Sequence, residues 1–153
     1  PSLSDDGTLV AFTGRLRDDD DVWVRDRLTG QTQPISAAIP LGGRNTDPSL
    51  SGDGRFVAFV HTSGEQQQVY VYDRLTLQAQ IASVSSAGVV GDAPSYAPSI
   101  SRDGRYVAFA SSADNLVAND SNEKIDVFVR DRVAGITRLV SRNANGGLGN
   151  DDS

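Results

Sequence analysis

Short apolar runs recur along the chain, and each reads with a period of two. Val22 and Val24 face one side of a run while Trp23 faces the other. Val69 and Val71 oppose Tyr70 and Tyr72, and Val127 and Val129 oppose Phe128. In a second kind of run, Phe56, Ala58 and Val60 oppose Val57 and Phe59. A sheet with one wet face alternates apolar with polar residues, whereas these strands are apolar on both sides. Each sheet must therefore be covered on both faces. No window sustains apolar residues at i, i+3 and i+4, so the pattern predicts no helix.

The runs belong to a unit that occurs three times. Its opening block is Pro1-Ser-Leu-Ser-Asp-Asp-Gly-Thr-Leu-Val-Ala-Phe12, then Pro48-Ser-Leu-Ser-Gly-Asp-Gly-Arg-Phe-Val-Ala-Phe59, then Pro98-Ser-Ile-Ser-Arg-Asp-Gly-Arg-Tyr-Val-Ala-Phe109. A second block follows each: Asp21-Val-Trp-Val-Arg-Asp26, Gln68-Val-Tyr-Val-Tyr-Asp73 and Asp126-Val-Phe-Val-Arg-Asp131. The prolines lie 47 and then 50 residues apart, a period that marks stacked supersecondary units.

Each unit predicts four strands. The first covers 2–4, 49–51 and 99–101, closed by the hairpin signal Asp-Gly at Asp6-Gly7, Asp53-Gly54 and Asp103-Gly104. The second covers 8–12, 55–60 and 105–110, and the third 22–25, 69–72 and 127–130. A tight turn at Asp26-Arg-Leu-Thr-Gly30 and Asp131-Arg-Val-Ala-Gly135 leads into the fourth, at 31–36, 78–84 and 136–141. The middle unit has Leu77 where the other two turns have glycine. Radial packing of four-stranded antiparallel sheets covers both faces of each, so the all-β chain reads as three β-propeller blades. The alanines Ala11, Ala58 and Ala108 suit an inner strand, where blades crowd together. The whole of 1–153 forms a single propeller segment, with blades at about 1–47, 48–97 and 98–153.

The repeated Pro-Ser-(Leu/Ile)-Ser-x-Asp-Gly, followed by Asp-Val-(Trp/Phe)-Val-Arg-Asp-Arg, resembles the TolB-type, WD-repeat-like β-propeller repeat. The resemblance covers essentially the whole chain. It implies a ring of six or seven blades, so that three make about half of a six-bladed ring. It also implies a bacterial, exported protein, in the extracellular space or periplasm. A WD repeat proper fits less well, because Gly-His and Trp-Asp are both absent.

Composition narrows the partners. A formal net charge of −6 argues against a nucleic-acid backbone. Of 20 acidic residues 18 are aspartate, mostly beside Gly, Asn or Ser, a bias that suits turns, caps and cation sites. Cysteine is absent, which removes disulfides and thiolate chemistry, and no apolar run approaches the length of a membrane span. The first residue is not methionine and already belongs to a repeat, so the chain reads as a processed or excised piece of something longer.

Candidate chemistry gathers at one end of the ring, where the loops after the second strands and those between blades collect most aspartates. Asp120, Asn122 and Asp126 occupy positions 1, 3 and 7 of a loop, with oxygens suited to calcium. Lys124 and Ile125 depart from an EF-hand, and the alternative is a pair of Asx-turns with Asp126 opening a strand. The run 18–21 is a weaker cation candidate. The recurring aspartates at 6, 53, 103, 26, 73 and 131 sit at turns, and Arg25 and Arg130 read as ion-pair partners beside them. His61 is the only histidine; placed in a loop after the second strand, it would face the acidic end. No Gly-x-Ser-x-Gly elbow supplies a nucleophile.

These features point to a non-catalytic binding or scaffold module that takes a protein or small ligand at the loop-rich end. The competing reading is the propeller part of an enzyme, a prolyl-oligopeptidase-like hydrolase or a propeller lyase, with its catalytic residues outside this chain. The uncovered end blades imply either a homodimer or further blades of a longer chain completing the ring.

Overall fold

The computed structural model describes residues 1–16, 19–35, 43–118, 120 and 124–141. They form twelve strands and, among the described residues, no helix. Blade 1 is an antiparallel sheet of β1 (Ser2–Leu3), β2 (Leu9–Leu16), β3 (Asp19–Asp26) and β4 (Thr32–Pro34), in that order. Blade 2 follows with β5 (Arg44–Leu50), β6 (Phe56–Ser63), β7 (Gln66–Asp73) and β8 (Gln78–Ile81). Blade 3 has β9 (Ser95–Ile100), β10 (Tyr106–Ser111), β11 (Asp126–Asp131) and β12 (Ile136–Leu139). The three-blade propeller expected from the repeat is the fold observed.

The core lies between the blades. One cluster joins Ala11, Val22 and Val24 of blade 1 to Leu50, Val57 and Phe59 of blade 2. A second joins Ala58, Val69 and Val71 of blade 2 to Val107, Phe109 and Phe128 of blade 3. The valines of the third strands therefore face the following blade, and the aromatic residues between them face the preceding one. This explains strands that are apolar on both sides.

The Ser-x-Asp-Gly block folds into the same turn three times. In blade 2, Gly54 N donates to Ser51 O at 2.9 Å, the Ser51 hydroxyl donates to Asp53 Oδ1 at 2.6 Å, and Phe56 N donates back to Ser51 Oγ at 2.9 Å. Gly7, Gly54 and Gly104 have φ of 67°, 72° and 71°, the left-handed region that favours glycine. The second turn is equally regular. Asp26, Asp73 and Asp131 each accept backbone N–H groups of the following residues, and the carbonyl of each accepts from the residue four positions on. Arg55 and Arg105 pair with Asp73 and Asp131 at 2.8 and 2.7 Å. The Arg55 hydrogen bond is the main cause that lowers the Asp73 pKa to about 2, and Arg105 likewise lowers Asp131.

Leu77 occupies the left-handed position that Gly30 and Gly135 fill elsewhere, at φ 59°. A leucine there costs about 1–2 kcal/mol, only partly offset by its stiffer unfolded chain. Leu77→Gly is therefore expected to stabilise the chain by about 0.5–1 kcal/mol in equilibrium denaturation, since the side chain is exposed and buries little. A destabilised variant would show that Leu77 makes a contact worth more than its strain.

Several strands run further than the apolar pattern suggests. The second and third strands of blades 1 and 2 go on pairing beyond the alternating apolar positions, with Gly14 facing Asp21, and with Thr62 between Gln67 and Arg44. The first strands of blades 2 and 3 begin four residues before Pro48 and three before Pro98.

Candidate binding cleft and buried polar cluster

The early start of β5 and β9 is made possible by bulges. Thr46 pairs with Val60 and Ser49 with Ala58, so Asp47 and Pro48 together oppose Phe59. Tyr96 pairs with Ala110 and Ser99 with Ala108, so Ala97 and Pro98 oppose Phe109 in the same way. Proline has no N–H to give a ladder, and a bulge is one of the few places a sheet tolerates it. Asp47 and Ala97 both adopt φ 51°. Residues other than glycine in this region are strained by about 1–2 kcal/mol, and such strain concentrates where a binding surface needs the backbone re-aimed.

The two bulges meet at the inner rim, where the first strands converge. Leu50 N donates to Ser2 Oγ at 3.0 Å and Ile100 N to Ser49 Oγ at 3.1 Å, linking the three inner strands. Beside them lies an open cleft of about 740 Å³, lined by Pro1, Phe12, Thr13, Asp47, Pro48, Ala97 and Pro98. Its walls are conformationally stiff and mostly apolar, with one carboxylate at Asp47. Such a surface offers apolar contact and one anionic anchor. The motif Pro-Ser-x-Ser looks like punctuation between repeats. The clue to its second role is a proline within an alternating strand pattern, which implies a bulge.

His61 lies within β6, not in a loop after it, and is buried. Polar Thr62 and Ser63 end the apolar pattern there, while the ladder to Gln66 and Gln67 continues. The imidazole Nδ1 is 2.9 Å from Asn45 Oδ1, the Asn45 amide donates to Asp21 Oδ1 at 3.3 Å, and Asp21 also accepts the Val22 N–H at 2.8 Å. Because Asn45 presents an oxygen, Nδ1 carries the proton. Nε2 is buried with no hydrogen-bond partner among the described residues. The Tyr70 ring meets the imidazole edge to face at 5.4 Å. This buried cluster links blade 1 to blade 2 through Asp21, Asn45 and His61.

Burial lowers the His61 pKa below its ordinary 6.5. The unfolded chain then binds the proton more readily than the folded one. Stability from this group is complete above the unfolded pKa and falls as pH drops through the lowered folded value. We expect denaturation midpoints to decline below about pH 6.5, with a shallower decline in His61→Gln. An identical pH profile in that variant would rule out His61 as the cause.

The acidic run is also redistributed. Asp19, Asp20 and Asp21 belong to β3, and Asp18 lies outside the described residues. Asp20 pairs with Arg44 and Arg15, while Asp21 is buried against Asn45. The strand sends these two carboxylates to opposite faces, which a shared cation site does not allow.

In blade 3, Asp126 opens β11, is buried, and accepts the Ser141 hydroxyl. Asp120 is also buried, and Asn122 lies outside the described residues. Among the described residues no group of three His, Cys, Asp or Glu side chains is placed to hold a metal. Among the described residues Arg25 and Arg130 make hydrogen bonds in place of the ion pairs expected of them. Arg25 donates to Thr32 Oγ1, and Arg130 donates to Ser85 O, Gly135 O and Thr137 Oγ1. Arg130 thereby ties blade 3 to the segment leaving blade 2.

No protein-family model and no curated protein matches the chain. Solved structures do. TolB from Acinetobacter baumannii aligns with a TM-score of 0.66 at 18% identity, over 96% of this chain and 32% of that one. A putative TolB from Agrobacterium tumefaciens aligns at 0.63 and 21% identity, over 90% and 47%. Oligogalacturonate lyase from Vibrio parahaemolyticus aligns at 0.58 and 16% identity, over 90% and 37%. The fold is thus that of the TolB-type β-propeller, and the chain spans less than half the length of these proteins. No helix among the described residues is long and apolar enough to cross a membrane.

Proposed function

We propose that the chain is a non-catalytic binding module of an exported bacterial protein, and that its inner-rim cleft takes a protein segment or a small ligand. The observation that carries this reading is the pair of bulges that hold Asp47 and Ala97 in left-handed backbone at the same cleft. An extended segment with a basic or hydroxyl-bearing group fits best, because Asp47 is the one carboxylate in a lining made otherwise of prolines, Phe12, Ala97 and Thr13. Fluorescence anisotropy against a library of labelled peptides tests this. We expect basic members to bind and Asp47→Lys to abolish binding. Retention of every interaction in Asp47→Lys would remove the cleft from the account.

The second reading, a propeller portion of an enzyme, is favoured by the likeness to oligogalacturonate lyase. Under the binding reading the chain turns over neither oligogalacturonate nor chromogenic peptides. Turnover by the purified chain would reverse the order of the two.

Calcium at Asp120, Asn122 and Asp126 is a subsidiary proposal, supported by the burial of two carboxylates within seven residues of sequence. Titration calorimetry at millimolar calcium, with Asp126→Ala as control, should detect weak binding. An absence of calcium-dependent heat in the parent chain would dismiss the site.

A further inference from the structure

The middle blade departs from the repeat at three positions that lie together. Tyr72 stands where the other third strands have Arg25 and Arg130, and Leu77 stands where their turns have Gly30 and Gly135. Ala79, which pairs with Tyr72, takes the place of Thr32 and Thr137, which pair with the two arginines. In blade 3 these positions form one polar unit. Arg130 Nη1 donates to Gly135 O at 3.0 Å, to Thr137 Oγ1 at 3.1 Å and to Ser85 O of the segment leaving blade 2 at 3.1 Å. Arg25 likewise donates to Thr32 Oγ1 at 2.9 Å. In blade 2, Ala79 offers no side-chain acceptor, and the Tyr72 hydroxyl makes no hydrogen bond among the described residues.

The altered strand and turn line a cleft at the seam of blades 1 and 2, and both of its walls belong to this chain. Its volume is about 390 Å³, within the range of small-molecule sites, about 300–1,000 Å³. Val24, Pro34 and Ile35 line it from blade 1, and Tyr72, Leu75 and Leu77 from blade 2. Leu77 is 67% exposed and sits in left-handed backbone that glycine holds without strain. Strain of this kind concentrates at binding sites. Tyr72 is only 8% exposed, and its ring packs with Val24 and Ile35 in the core. Burial pushes the phenol above its ordinary pKa of 10, so it remains a hydrogen-bond donor at neutral pH.

The charges that line the cleft are already answered. Arg55 pairs with Asp73 at 2.8 Å, and Arg74 faces Asp26 and donates to Gly54 O at 2.7 Å. Asp53 is engaged in its own turn, where it accepts the Ser51 hydroxyl and the Arg55 N–H. Neither an anion nor a cation would find a charge of opposite sign to spare. We propose that this seam cleft binds a small uncharged molecule with a compact apolar body and a carbonyl oxygen. The oxygen accepts from the Tyr72 hydroxyl, and the body lies between Ile35 and Leu77. The site shares no residue with the inner-rim cleft and stands whether or not that cleft binds.

Titration of the chain with N-benzylacetamide, read by the methyl resonances of Leu75 and Leu77, tests this. We expect saturable shifts of those methyls at millimolar concentration, and weaker binding of 3-phenylpropionate, which is similar in size but anionic. Tyr72→Phe should weaken the amide about three- to tenfold, the effect of one neutral hydrogen bond. Leu77→Gly should weaken it as well while stabilising the fold, a combination that a purely structural leucine would not give. Restoring the repeat with Tyr72→Arg, Leu77→Gly and Ala79→Thr together should fill the cleft and remove the remaining shift at Leu75. No saturable shift, equal affinity for the two probes, or affinity unchanged in Tyr72→Phe or in Leu77→Gly would overturn the proposal.

Discussion

Valine at Gly104 is expected to destabilise the chain by about 3–4 kcal/mol, roughly twice the effect of valine at Gly88 or more. Both glycines have positive φ, 71° and 80°, so a β-branched residue is strained by about 1–2 kcal/mol at either. They differ in what a Cβ would meet. At Gly88 there is nothing within 4 Å, whereas at Gly104 the added atom would fall on the Phe56 ring of the preceding blade. Overpacking against a ring held on both sides adds about 1–3 kcal/mol. Chemical denaturation of the two variants separates the two costs. Equal losses would mean that the blades part easily at this seam, which the shared core cluster does not allow.

The second large effect is expected at Phe128, which is wholly buried and stacks on Phe109 at 5.8 Å between centroids. It belongs to the cluster that holds blade 3 against Val69 and Val71 of blade 2. Phe128→Ala removes about 3–5 kcal/mol, the range for a buried aromatic whose cavity cannot collapse. Leu28→Ala, on an exposed turn of blade 1, should change stability by less than about 0.5 kcal/mol. A loss below about 1 kcal/mol at Phe128 would place the core elsewhere than between blades.

Much of this architecture was legible because it rests on local chemistry that repeats. The Asp-Gly turns have one low-strain solution, and valines opposed by aromatics cannot face water on either side. Legibility ended where pairing outlasted hydrophobicity. Thr62, Gln67 and Gln68 continue a ladder that the apolar pattern had already left, so His61 reads as a loop residue though it lies in a strand. Asp19, Asp20 and Asp21 were hidden in the same way, because a like-charge run usually signals a solvated loop. The cleft escaped for another reason. Asp47 and Ala97 are 50 residues apart in sequence, differ in chemistry, and share only a backbone conformation set by bulges before two prolines. Nothing in residue type announces that convergence. Leu77 shows the converse: the missing glycine was visible, and the backbone took the left-handed position regardless.

Packing between neighbouring blades holds these sheets together, and a double-mutant cycle between Phe56 and Arg132 tests it most directly. The guanidinium of one blade lies over the ring of its neighbour, so the pair reports only on the seam. We expect Phe56→Ala and Arg132→Ala to be non-additive by about 0.5–1 kcal/mol, the worth of a partly shielded cation–π contact. Additivity to within about 0.3 kcal/mol would contradict the seam as described.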